Sequence, residues 1–70
     1  MSDYVTATIP ATDTYDDTPA TVEVTASPGE FKGVLLELST RDKYLSVELA
    51  ADGVGQLTRA LAEATACLGW

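Results

Sequence analysis

From Thr21 to Leu49 hydrophobic and polar positions alternate with a period of two, and from Asp52 the period lengthens to that of a helix. In "TVEVTA" the residues Val22, Val24 and Ala26 share one face, and Thr21, Glu23 and Thr25 share the other. That is the pattern of a half-buried strand. "SPGE" closes it as a turn, because Pro28 presets φ at the first central position and Gly29 supplies the positive φ that a type II turn needs at the second. The chain then runs back. "FKGVLLELS" sets Val34, Leu36 and Leu38 against Leu35 and Glu37, "TRDK" makes a second polar turn, and "YLSVELA" sets Leu45, Val47 and Leu49 against Tyr44, Ser46 and Glu48.

Upstream of Thr21 the pattern weakens. "YVTATIP" alternates enough for a short strand at 4–9 stopped by Pro10, whereas "ATDTYDDTPA" carries Asp13, Asp16 and Asp17 with no basic residue and no apolar period. Residues 1–20 therefore read as an acidic, partly disordered segment, and residues 21–70 as the ordered βββα domain. Downstream, Asp52 is the expected N-cap, and Gly53 and Gly55 weaken the first turn. Val54, Leu57, Leu61, Ala64 and Leu68 form one stripe at about 100° per residue, and Gly69 is the expected stop. The predicted fold class is α+β: a three-stranded antiparallel meander, four-stranded if the N-terminal strand joins it, packed against one C-terminal helix.

Length and charge then limit the candidate roles. A 70-residue chain leaves much of its surface wet, and small domains offset that with disulfides, metals or partner subunits. Cys67 is the only cysteine and the chain has no histidine, which excludes an internal disulfide and argues against a zinc site. Oligomerisation remains, and a homodimer is expected. A net charge of −7 with four basic residues argues against direct nucleic-acid binding and against anionic membranes. No apolar run approaches the roughly 18 residues of a membrane span. The start "MSDYVTATIP" lacks the basic region and apolar stretch of a signal peptide, so a cytoplasmic location is expected.

No catalytic, metal or nucleotide motif stands out, and no cofactor is expected. Cys67 lies at the margin of the apolar stripe without a base to activate it, so it reads as a small hydrophobe at the edge of a core. The Asp13, Asp16, Asp17 group lacks the spacing, glycine and closing Glu of a calcium loop and reads as a solvated loop. Two surfaces have more character. Glu23, Leu35, Glu37, Tyr44 and Glu48 fall, with Thr25, on the outer sheet face and form the candidate partner-binding face, suited to a basic protein surface. The plainer reading of their carboxylates is ordinary solvation of a sheet. On the helix, Gly55, Arg59, Ala62 and Ala66 lie opposite the Leu stripe and form a candidate dimer seam, set against the reading that alanine is simply the best helix former. Trp70 is expected to fold back onto the sheet edge.

The passage "LSVELAADGVGQLTRALAEATA" resembles, as a pattern, short hypothetical proteins of actinobacteria and actinobacteriophages, in which an alternating hairpin feeds an Ala/Leu-rich helix. The absence of Asn, the single Ile and the two Lys agree with the GC-rich coding such an origin implies. A second resemblance is to the dimerisation half of the actinobacterial nucleoid-associated silencer. This chain has no basic DNA-binding half and no Arg-Gly-Arg-like segment, so that resemblance implies a decoy partner rather than a silencer.

The expected function is a small acidic protein-interaction module of the cytoplasm, in the phage-encoded case the host's, modulating or inhibiting a host protein by occlusion. The alternative is a self-associating structural or assembly subunit with no separate ligand. An enzyme is not expected, for want of any acid, base or nucleophile to which a role can be given.

Overall fold

The computed structural model describes residues 4–29 and 32–70. Four antiparallel strands, β1 (Val5–Thr12), β2 (Pro19–Ala26), β3 (Val34–Ser39) and β4 (Tyr44–Leu49), form one sheet in chain order, and α1 (Ala51–Leu68) follows. The α+β class and the antiparallel meander agree with the alternation in the sequence. Expected features at Glu30 and Phe31, the end of the first turn and the start of the third strand, lie outside the described residues, as do residues 1–3 of the N-terminal segment.

The first correction concerns residues 4–20. All eight residues of β1 pair with β2, from Val5 opposite Ala26 to Thr12 opposite Pro19, so a boundary at residue 20 would cut through β2. Pro10 does not end the strand. It stands on the edge strand opposite Thr21, where a missing N–H need not interrupt an inner ladder. The Asp-rich stretch is a hairpin turn with its own bonds. Asp13 Oδ1 accepts from the Tyr15 N–H at 2.9 Å, and Asp16 Oδ1 accepts from the Thr18 hydroxyl at 2.6 Å and the Thr18 N–H at 3.2 Å. Asp17 takes φ 61°, a left-handed conformation that aspartate tolerates better than most side chains.

The second correction concerns the helix, which does not lie over the sheet. Only Ala50 separates Leu49 from Ala51, and its backbone is extended, at φ −74° and ψ 174°. Strand-to-helix connections that bring a helix back onto its sheet typically use about 2–6 residues. A single residue leaves the helix to run outward. Its first turn meets the end of β4, where a Cβ added at Gly53 would come into contact with the Leu49 side chain, and from Gly55 to Trp70 every residue is exposed. Leu57, Leu61 and Leu68 are 37%, 59% and 60% exposed. Among the described residues no apolar side chain is fully buried.

The shape reflects this. The radius of gyration is 13.8 Å and the extents are 38 × 31 × 21 Å. A close-packed 70-residue domain would have a radius of gyration of about 11 Å.

The helix ends agree only in part with the sequence. The N-cap is Ala50, without a side-chain bond, and Asp52 lies inside the first turn, where its charge still favours the helix dipole. Gly69 stops the helix as expected. It takes φ 74° and donates its N–H to Ala66 O, while the Trp70 N–H reaches Thr65 O, the paired bonds of a Schellman stop. Trp70 does not fold back and is 87% exposed, and Cys67 is exposed rather than at the edge of a core.

Candidate interaction faces

Register assigns the two faces of the sheet. On one, Val5, Ala7, Ile9 and Ala11 of β1 stand opposite Ala26, Val24, Val22 and Ala20 of β2. Val22 and Val24 then pair with Leu38 and Leu36, and Val34, Leu36 and Leu38 pair with Leu49, Val47 and Leu45. The whole face is apolar and carries no charge. Its larger residues cluster on β3 and β4, its alanines on β1 and β2. No described element covers it: Val5 is 61% exposed, Ile9 48%, Leu45 55% and Val47 42%.

The other face collects the residues singled out from the sequence. Glu23 stands opposite Glu37, Leu35 opposite Glu48, and Tyr44 opposite Ser39, so Glu23, Leu35, Glu37, Tyr44 and Glu48 do share one face. Their environments differ from the expectation of a free acidic surface. Glu48 Oε2 accepts from the backbone N–H groups of Lys32 and Gly33, each at 3.0 Å, and so fastens the end of the β2–β3 connection to β4. The Tyr44 hydroxyl donates to Glu37 Oε2, and the Thr8 hydroxyl to Glu23 Oε2 at 3.4 Å. Thr25, expected outward in solvent, is the most enclosed described side chain at 5% exposure, its hydroxyl 3.4 Å from that of Thr6. Leu35 is half-buried and Tyr44 exposed.

Gly33 is required where it stands. A Cβ there would overlap the Leu49 carbonyl, so glycine allows the β2–β3 connection to pass close to the end of β4. At the opposite end of the sheet the two hairpin turns meet, with Arg41 Nη2 3.8 Å from Asp16 Oδ2 and Lys43 Nζ 5.9 Å from the centre of the Tyr15 ring. Both contacts are exposed to solvent and contribute little to stability.

The candidate seam residues Gly55, Arg59, Ala62 and Ala66 are exposed, but so is the Leu stripe on the other side of the helix. Exposure therefore does not single out the small-residue side. The sequence reading missed the apolar sheet face as a surface, having assigned the helix to it. The alternation in "YVTATIP" was the signal that β1 extends that face through Val5 and Ile9.

Among the described residues no three His, Cys, Asp or Glu side chains come together as a ligand set for a metal ion. Among the described residues no helix is long and apolar enough to cross a membrane. Comparison with protein-family models, curated proteins and solved structures finds no match to this chain.

Proposed function

We propose that this chain is a protein-interaction module whose apolar sheet face is sealed by another polypeptide, with the acidic face left outward. The observation that carries the reading is the uncharged face running from Val5 to Leu49 across four strands, with Val5, Ile9, Leu38, Leu45 and Val47 each more than two-fifths exposed. Apolar side chains gathered on one face and rimmed by polar residues mark a surface that another molecule covers. Burial of such a face is driven by release of water, so the association persists in high salt. The test is the neutral dye Nile red together with the measured mass. The module reading predicts either an assembly larger than one chain, or a monomer that binds the dye on this face and loses it in Val47→Asp. A monomer that leaves the dye dark would overturn it.

A second reading concerns the acidic face, and one observation favours it. Glu23 and Glu37 stand directly opposite each other on neighbouring strands, and like charges so placed repel. A basic protein surface docking there would relieve the repulsion, and a phage-encoded modulator of a host protein would act by occluding that surface. Glu48 is a poor residue with which to test this, because its carboxylate holds the backbone at Lys32 and Gly33. Reversing Glu23 and Glu37 to Lys tests the reading, with a basic model polypeptide such as polylysine as the probe. Loss of salt-sensitive binding supports it, and unchanged binding contradicts it.

A further inference from the structure

We infer that the polypeptide covering the apolar sheet face is a second copy of this chain, and that two copies exchange helices, the Leu stripe of each α1 lying across the other's sheet. The inference rests on the interaction-module reading and names its partner. Each chain carries both halves of one missing core. The sheet presents Val22, Val24, Leu36, Leu38, Leu45 and Val47, and the helix presents Val54, Leu57, Leu61 and Leu68, and no element among the described residues covers either.

The tether decides between covering in the same chain and covering in another. Ala50 alone joins β4 to α1, a shorter link than the roughly 2–6 residues that usually return a helix to its own sheet. The same short link leaves the helix extended, where a neighbouring sheet can receive it. Short hinges that prevent closure within one chain favour exchange of an element between identical chains. The dimensions agree. An 18-residue helix is about 27 Å long and, with its side chains, about 10 Å across, enough to straddle two or three strands spaced about 4.8 Å apart. The larger apolar residues of the sheet lie on the β3–β4 side, where such a helix would rest.

Surface area supports a pair of this kind. The chain exposes 5658 Å², whereas a folded monomer of its 7.4 kDa mass exposes about 4,200 Å². The excess is about 1,400 Å² per chain. Two copies that each lose it bury roughly 2,800 Å² in total, within the range of obligate homodimers. The interface is isologous, because helix-on-sheet occurs twice about one two-fold axis. Charge also permits it: the strand carboxylates Glu23, Glu37 and Glu48 lie on the face turned away from the contact, so two chains of charge −7 meet through uncharged surfaces.

Cys67, the only cysteine and exposed near the helix end, provides the probe. A nitroxide-labelled chain is mixed with an isotope-labelled Cys67→Ala chain, and amide peaks are read from the second. Exchange predicts that the Leu36 and Val47 amides of the isotope-labelled chain lose intensity and recover it when the nitroxide is reduced. If those peaks stay unchanged in a mixture of dimeric mass, the helix does not cross between copies and the inference is overturned. A hinge variant gives an independent reading. A Gly-Ser-Gly-Ser insertion after Ala50 lets the helix reach its own sheet and is predicted to convert the dimer to a helical monomer. An insertion variant that remains dimeric at micromolar concentration would show that the one-residue link does not hold the helix on the other copy, and would overturn the argument from the tether. Failure of the inference is distinct from failure of the module reading. A wild-type monomer that binds Nile red removes the second copy but leaves the module, whereas a monomer that leaves the dye dark removes both.

Discussion

Glu48 Oε2 accepts the Gly33 backbone N–H at 3.0 Å and the neighbouring Lys32 N–H at the same distance. One carboxylate thus anchors the end of the β2–β3 connection on β4, beside the place where the Gly33 backbone passes the Leu49 carbonyl. Replacing Glu48 with Ala leaves two N–H groups to water. Because the site is exposed, the expected cost is about 1 kcal/mol, or a fall in Tm of about 4–8 °C at fixed chain concentration. Glu48→Gln, which keeps one acceptor oxygen, should lose less. Thermal melts followed by circular dichroism measure both, and an unchanged Tm for Glu48→Ala would show the anchor to be dispensable.

The two sides of the helix separate in a second experiment. Leu61 belongs to the apolar stripe, whereas Ala62 and Ala66 lie on the small-residue side with Gly55 and Arg59, and all are exposed within one chain. If the stripe faces the partner, Leu61→Asp places a charge in the interface and shifts the mass toward one chain. Ala62→Glu and Ala66→Glu should leave the mass unchanged. Size-exclusion chromatography with light scattering reads the difference. Dissociation by Ala62→Glu with no effect of Leu61→Asp would assign the seam to Gly55, Arg59, Ala62 and Ala66 instead.

Asp16 makes the hairpin turn sensitive to acid. Donation from the Thr18 hydroxyl, followed by the Thr18 backbone N–H, holds the Asp16 carboxyl below its usual value of 3.8. A carboxyl whose pKa is lower folded than unfolded contributes stability above its unfolded value, and that contribution is lost as pH falls through the lower folded value. Thr18→Val removes the hydroxyl and should raise the Asp16 titration midpoint and reduce the acid-side loss. Carboxyl chemical shifts followed through pH test this, and an unmoved midpoint would contradict it.

Much of the sheet is legible in the sequence, because β2, β3 and β4 alternate with Leu35 as the chief exception and each turn carries its own signal, such as Gly29 at φ 88°. The pairing of β1 is harder to read. Its link to β2 is held by aspartate side chains bonded to turn backbone at Tyr15 and Thr18, and hydrophobic periodicity does not register such bonds. Pro10 adds a false stop on an edge strand. The five residues of the candidate partner face are brought together because side-chain direction follows from alternation. What each carboxylate does there depends on the path of the β2–β3 connection, and no period in the sequence encodes it.

The helix shows a different limit. A stripe of Val54, Leu57, Leu61 and Leu68 implies that something apolar covers it, and says nothing about which chain supplies the cover. The choice turns on the single linking residue Ala50, a length that only the bounds of β4 and α1 reveal.

Sedimentation equilibrium of the unmodified chain across micromolar concentrations tests the central claim most directly. Covering of the sheet face by a second copy predicts a mass twice the 7.4 kDa of one chain, with a melting temperature that rises with concentration. A mass of one chain at every concentration, with melting independent of concentration, would contradict it.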